Sequence, residues 1–288
     1  MDLKQLNYFV TVVNEGNITS AAKKLFMSQP PLSTQLKALE TELGCVLIER
    51  GSRQVQLTEA GRTLYNYANT LLEISRIAKQ EVQYSADHSK GTIRVGMVSS
   101  VVCSSAMRYV IEFSQNYPNM VFEIVEGNTY DLLKKLNSNT IHCALVRSPY
   151  SADNVSSFIL ETERLVAIGK TNLFDNDLDE VTLNELSTKN MIIYRRWEHI
   201  IRALFEENNL DIHCRIINDD ARTTIRFAEC GLGIGIIPES AIELIHGENM
   251  VYKQIPESEI ESSIELVYNP SSYMPKCTSL FIDYLKNQ

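Results

Sequence analysis

The chain has 288 residues, 44% of them hydrophobic and 22% charged, with a net charge of -9. This is the composition of a folded protein of two or three domains, and it excludes disordered and collagen-like classes. No apolar run reaches the ~18 residues of a membrane helix, residues 1–20 lack the apolar core of a secretion signal, and the acidity argues against indiscriminate nucleic-acid binding by the whole surface.

The charge is uneven. Residues 1–65 hold seven Lys and Arg against six acids, leaving 20 against 30 for the remainder. Between Glu15 and Glu40 lie Lys23, Lys24 and Lys37 and no acid. The pattern predicts a small anion-binding head on an acidic body. The six cysteines (Cys45, Cys103, Cys143, Cys214, Cys230, Cys277) have no CxxC spacing and no neighbouring His pairs. That points to reduced thiols in a cytoplasmic protein, with no metal expected.

Leu3, Leu6, Phe9, Val10 and Val13 recur at helical spacing until Gly16, which predicts a first amphipathic helix. Asn17 and Thr19 offer capping oxygens for a short second helix over 19–25, where Ala21 and Ala22 permit close packing. After Phe26-Met27, Ser28 can cap a third helix with Pro30-Pro31 in its first turn. Leu32, Leu36, Leu39 and Leu43 form its predicted buried stripe. Its other face carries Gln29, Ser33, Thr34 and Lys37, which can reach base edges and phosphates. By themselves these residues fit a solvated face equally well. The basic turn Arg50-Gly51-Ser52-Arg53, followed by alternating Val55-Gln56-Leu57, predicts a small hairpin with two arginines at its tip.

The motifs Leu6-x-x-Phe9, Ala21-Ala22-x-x-Leu25, Ser28-Gln29-Pro30-x-Leu32-Ser33, Leu36-x-x-Leu39-Glu40-x-x-Leu43-Gly44, Leu47-x-x-Arg50 and Leu57-Thr58-x-Ala60-Gly61 closely resemble the N-terminal signature of LysR-type transcriptional regulators. Ile48 stands where that family usually has Phe, a packing change away from the DNA-reading face. The resemblance implies an N-terminal winged helix-turn-helix over 1–58, a long linker and dimerisation helix with a hinge over 59–90, and a two-lobed α/β effector-binding domain over 91–288, like a periplasmic binding protein. It implies double-stranded promoter DNA as a partner, with Thr19, Ser28, Gln29, Pro30, Ser33, Thr34, Lys37, Arg50 and Arg53 as the contacting set. It also implies a homodimer or homotetramer and no enzymatic activity.

The connector supports pairing independently. Thr58 can cap a long helix in which Leu64, Tyr67, Leu71, Ile74 and Ala78 form an a/d seam of two heptads. Such a seam needs a partner helix or the body of the same chain. Residues 85–91 are polar and small, as in a hinge.

In the body, strand patterns over 92–97, 120–125, 141–146, 165–168, 191–194, 216–217, 234–237 and 266–268 alternate with helical ones over 131–137, 198–207, 221–229, 239–245 and 274–286. This predicts βαβ units and a parallel sheet. The lobes are expected at 91–161 plus 267–288 and at 162–266. Ligands in such folds sit beyond strand C-termini. That rule selects Ser99, Ser100, Asn128, Thr129, Arg147, Tyr194, Arg195, Arg196 and Trp197 as effector-contacting candidates, suited to a small carboxylate or amino acid. The same serines could be plain helix caps, and the same arginines could pair with body acids. Gly231-Leu232-Gly233-Ile234-Gly235 has the wrong order for a phosphate loop, since a helix precedes it and a strand follows. The spacing of Cys214 and Cys230 argues against a redox pair. The histidines (His88, His142, His199, His213, His246) lie in unrelated segments, and no cofactor is expected. The remaining alternative is a ligand-binding protein or enzyme whose N-terminal segment only mediates assembly.

Overall fold

The computed structural model describes residues 1–49, 55–84, 91–256 and 261–288. It comprises two compact units, Met1–Ala86 and Asp87–Gln288.

In the first unit, α1 (Leu3–Glu15) begins with a capping box. The Asp2 carboxylate accepts from the Gln5 amide, and the Gln5 side chain accepts from the Asp2 amide. It ends at Gly16 in the left-handed region. Helix α2 (Ile18–Lys24) is capped by the Asn17 side chain, not by Thr19, which lies inside the helix and is exposed. Asn17 accepts from the Ser20 amide at 2.7 Å. Helix α3 (Gln29–Leu43) has Ser28 at its N-cap without a side-chain cap bond, and Gly44 closes it. Leu32, Leu36 and Leu39 are buried with Leu6, Phe9, Val12, Ala21 and Ala22. Leu43, expected in that stripe, is exposed at the helix end instead, because the chain turns away at Gly44 before anything covers it. Strands β1 (Ile48–Glu49) and β2 (Gln56–Leu57) pair antiparallel and form the base of the predicted hairpin. Ile48 is buried in the head core. Arg50 and Arg53 lie outside the described residues.

Helix α4 (Glu59–Tyr84) starts where expected, with the Thr58 hydroxyl accepting from the Gly61 amide. One face packs on the head through Ala60, Leu64, Tyr65, Ala68 and Leu72. Of the predicted seam, Tyr67, Leu71, Ile74 and Ala78 are exposed, whereas Leu64 is taken up by the head core, which lies close enough to cover only the first turns of the helix. The proposed hinge lies outside the described residues, apart from Gly91.

The second unit contains β3 (Gly91–Met97), α5 (Ser105–Asn116), β4 (Met120–Glu126), α6 (Thr129–Asn137), β5 (Cys143–Arg147) and β6 (Ser156–Lys170). It continues with α7 (Leu183–Ser187), β7 (Met191–Tyr194), α8 (Glu198–Glu207), β8 (Cys214–Asn218), α9 (Ala221–Glu229), β9 (Ile234–Pro238), β10 (Met250–Gln254), β11 (Glu261–Tyr268) and α10 (Lys276–Lys286). Its sheet runs β4-β3-β5-β11-β6-β9-β7-β8, with β10 also on β6. The sheet is mixed, not purely parallel. Strands β3, β4 and β5 pair parallel, as do β7, β8 and β9, but β6 and β11 run antiparallel to their neighbours. These two strands carry the chain between the lobes.

Two cores result. One gathers Ile93, Val95, Phe113, Leu132, Leu145, Ile264, Leu266 and Phe281. The other gathers Leu165, Ile168, Ile192, Trp197, Phe205, Ile225 and Ile236. The outward crossing therefore falls near Arg164–Leu165, three residues later than expected. The return precedes Glu261, not residue 267, since β11 pairs with β5 and with residues 156–164. A 15-residue strand shared by two lobes has no composition break at its crossing. The glycine-rich run is a helix end and a turn into β9. Gly231 is left-handed (φ 73°), and a Cβ on Gly233 would collide with the Asn190 carbonyl.

Candidate functional site

The head presents a polar surface on α3. Gln29, Pro30, Thr34 and Lys37 are exposed and Ser33 is half-buried. The leucine stripe fixes the opposite side in the core, so these residues share one outward face at i, i+4 and i+8 spacing. The Thr34 hydroxyl donates to the Pro30 carbonyl at 3.0 Å. This is the geometry of a helix that offers its N-terminal half to a groove.

In the body, the strand C-termini meet between the lobes, where most of the expected donors already have partners. A 3-10 turn over Ser99–Val101 follows β3 and packs against α9. Asp220 is the N-cap of α9, its carboxylate accepting from the Arg222 amide at 2.7 Å. Burial works to raise the Asp220 pKa, but hydrogen bonds from the Arg222 side chain, Ser99 and the Arg222 amide hold it below the usual carboxylate range. Ser100 is buried and its hydroxyl accepts from Arg147 Nε at 2.8 Å. The first free amide of α5, on Ser105, is taken by Glu161 at 2.8 Å. Asn128 is a plain cap, accepting from the Asp131 amide at 2.9 Å.

Arg147 is fully buried. It pairs with the buried Glu163 at 2.5 Å and reaches Ser262 and Ser240 at 3.4 Å each. Ser240 returns two hydrogen bonds to Glu163, from its amide at 2.6 Å and its hydroxyl at 3.1 Å. Arg195 is exposed and pairs with Asp219 at 2.7 Å. Tyr194 is buried, and burial pushes its hydroxyl pKa up. The acids Glu161, Glu163 and Asp220 and the hydroxyls Ser240 and Ser262 were not foreseen. Glu163 lies in the polar stretch 161–164 at the middle of β6, and the others approach only through the fold.

Arg196 differs from the other arginines. It follows β7 in the second lobe and reaches into the first. There it donates to Thr129 Oγ1 at 2.9 Å and to the carbonyls of Arg147 and Pro149. Its guanidinium lies over the Trp197 ring at 5.2 Å from the centroid. No carboxylate pairs with it among the described residues. Its Nε and the Trp197 indole N–H are buried without a hydrogen-bond acceptor there. Burial lowers the Arg196 pKa, which an adjacent negative charge would reverse.

Comparison with known proteins settles the class of this arrangement. Residues 3–62 match the bacterial regulatory helix-turn-helix model of the lysR family, and residues 86–288 match the LysR substrate-binding domain. The chain belongs to the LysR family of transcriptional regulators. Members of this family regulate transcription, bind DNA and small effectors, form oligomers, and are not enzymes. The chain is 31% identical to the HTH-type transcriptional regulator BsdA of Bacillus subtilis, over 98% of this chain and 99% of that protein. It is 32% identical to BenM of Acinetobacter baylyi, over 83% of this chain and 81% of BenM. Full-length CbnR in complex with its target DNA superposes with a TM-score of 0.85, covering 100% of this chain and 99% of CbnR, at 21% identity. Full-length BenM superposes at 0.59 and 27% identity, covering 100% and 96%.

No helix among the described residues is long and apolar enough to cross a membrane. Cys214 has a pKa raised by burial, and Cys143 is pushed up to about 12 by the same cause.

Proposed function

We propose that this LysR-family regulator reads promoter DNA with the exposed face of α3, and that a small anionic effector held at Arg196 between the lobes controls that reading. Gln29, Ser33 and Thr34 face base edges, Thr19, Ser28, Pro30 and Lys37 position the duplex, and the hairpin arginines Arg50 and Arg53 take backbone or minor groove. Two copies pair through the uncovered seam of α4 and present two heads to successive turns of one duplex face; two such pairs make the tetramer. The protein works in the cytoplasm, where the chromosome is.

The observation that carries the effector reading is the state of Arg196. Among the described residues it is held only by neutral oxygens, and its buried Nε and the neighbouring Trp197 indole have no hydrogen-bond acceptor. A carboxylate arriving there satisfies both donors and cancels a buried charge. Arg147 and Arg195 support the walls through their own acid partners, Ser100 through Arg147, and Ser99 from the turn that packs on α9. Asn128 and Thr129 hold the start of α6, and Tyr194 and Trp197 close the apolar side.

Calorimetry of the full chain against a panel of small carboxylates and amino acids tests this reading. At least one acid should bind, and Arg196→Ala should weaken it at least tenfold, about the loss of one charged hydrogen bond. Undiminished binding by Arg196→Ala removes the site. A panel that binds nothing removes the carboxylate and amino-acid class.

A further inference from the structure

The turn between α2 and α3 contains a residue that the folded head does not use. Phe26 is 98% exposed. It also adopts a left-handed backbone conformation (φ 54°), which is unfavourable for a side chain with a Cβ and unusual for a bulky one. The hydrogen bonds explain the conformation. The Met27 amide donates to the Ala22 carbonyl at 3.0 Å and the Phe26 amide to the Lys23 carbonyl at 3.1 Å. These two bonds form a Schellman cap, and Phe26 holds the position at which helices favour glycine. The head's other two helices do end on glycine, Gly16 after α1 and Gly44 after α3. Leu25 and Met27, on either side, pack against the head core, whereas Phe26 does not.

The side chain is therefore unneeded by the core and ill-suited to its backbone. Strain of this kind persists where function uses it. Its surroundings indicate the partner. Phe26 lies three residues before Gln29, the start of α3, within a stretch over 16–39 that carries Lys23, Lys24 and Lys37 and no acid. Lys24 pairs with Glu15 at 2.6 Å, and Lys23 and Lys37 are exposed. An aromatic ring on a basic surface beside a groove-reading helix fits a partner that is anionic and carries hydrocarbon faces.

We propose that Phe26 is a DNA-contacting residue, its ring lying against the hydrocarbon surface of the duplex, either a thymine methyl or a deoxyribose. This rests on the reading of α3 as the DNA-facing helix. The contact adds affinity without releasing counterions, unlike the lysine contacts beside it.

The test uses the full chain and a duplex that the wild type enriches from a random library. Phe26→Ala should weaken binding about tenfold. The slope of log affinity against log salt should stay at the wild-type value, and so should the melting temperature, because the ring touches no core. Phe26→Gly should bind as weakly as Phe26→Ala yet melt higher, since glycine relieves the left-handed position. Replacing thymines by uracil one at a time separates the two sources. A single position at which the wild type loses affinity and Phe26→Ala does not marks a methyl contact, and no such position marks the sugar. Wild-type affinity in both variants overturns the proposal, as does a weakening matched by a lower melting temperature. If the wild type enriches no duplex at all, the reading of the head itself fails.

Discussion

Arg147 and Glu163 form an ion pair at 2.5 Å in which Arg147 is fully buried and Glu163 nearly so. Arg147 ends β5 in the first lobe, Glu163 lies on the crossing strand β6, and Ser240, bonded to both, belongs to the second lobe. The pair ties the lobes together. Removing one partner leaves the other charged, buried and uncompensated, which costs about 3–5 kcal/mol. Arg147→Ala and Glu163→Leu should therefore each lower the urea midpoint of the body strongly. The double variant Arg147→Met with Glu163→Leu should recover most of the loss. Equal losses in the single and double variants would mean that packing, not charge, holds this joint.

The exposed stripe on α4 makes a second prediction. Tyr67, Leu71 and Ile74 continue, exposed, along a helix whose first turns and adjoining face pack on the head. Leu71→Asp places a charge in a seam that pairing would bury. It should dissociate the assembly at micromolar concentration in analytical ultracentrifugation and weaken dyad DNA binding, while leaving the head folded by circular dichroism. An unchanged sedimentation coefficient would assign oligomerisation to another surface.

Asp220 gives a pH dependence with a definite sign. Its folded-state pKa is depressed, because hydrogen bonds from the Arg222 side chain, Ser99 and the Arg222 amide outweigh the opposing effect of burial. A depressed carboxyl contributes stability that is present above its unfolded value and lost as pH falls through the folded one. The wild type should lose this part as pH falls through and below the ordinary carboxyl value of about 4. Asp220→Asn, which keeps a capping side chain but cannot titrate, should show a shallower decline in denaturant midpoint over that fall in pH. Parallel declines would show that Asp220 contributes nothing to acid stability.

The head was largely legible in the sequence, because its helices are short, capped by nearby residues and patterned by leucine spacing. Gly16, Asn17, Ser28 and Gly44 mark the three helices to within a residue. Leu43 was misread because periodicity reports which face a residue occupies, not whether something covers that face. The body was legible as alternating strands and helices but not as a joined pair of lobes. Strand β6 is 15 residues long and changes partners midway, and its middle, Glu161-Thr162-Glu163-Arg164, is polar, which hides its continuity with the apolar run that follows. The cleft suffered the same limit. Sequence identified arginines and hydroxyls at strand ends but not the acids that meet them, since Arg147 and Glu163 are brought together by β11 lying between their strands. For that reason Arg196, which pairs with no acid among the described residues, could not be told apart from Arg147 and Arg195.

The most direct measurement is hydroxyl-radical footprinting of the full chain on a duplex it selects, repeated with Lys37→Ala and over a range of salt. Two protected half-sites should appear on one face of the DNA, about 10 base pairs or a multiple of that apart. Lys37→Ala should weaken both equally and reduce the salt slope by about one. A protein that protects no duplex, or one whose footprint and salt slope are unchanged by Lys37→Ala, would contradict the assignment of α3 as the DNA-reading helix.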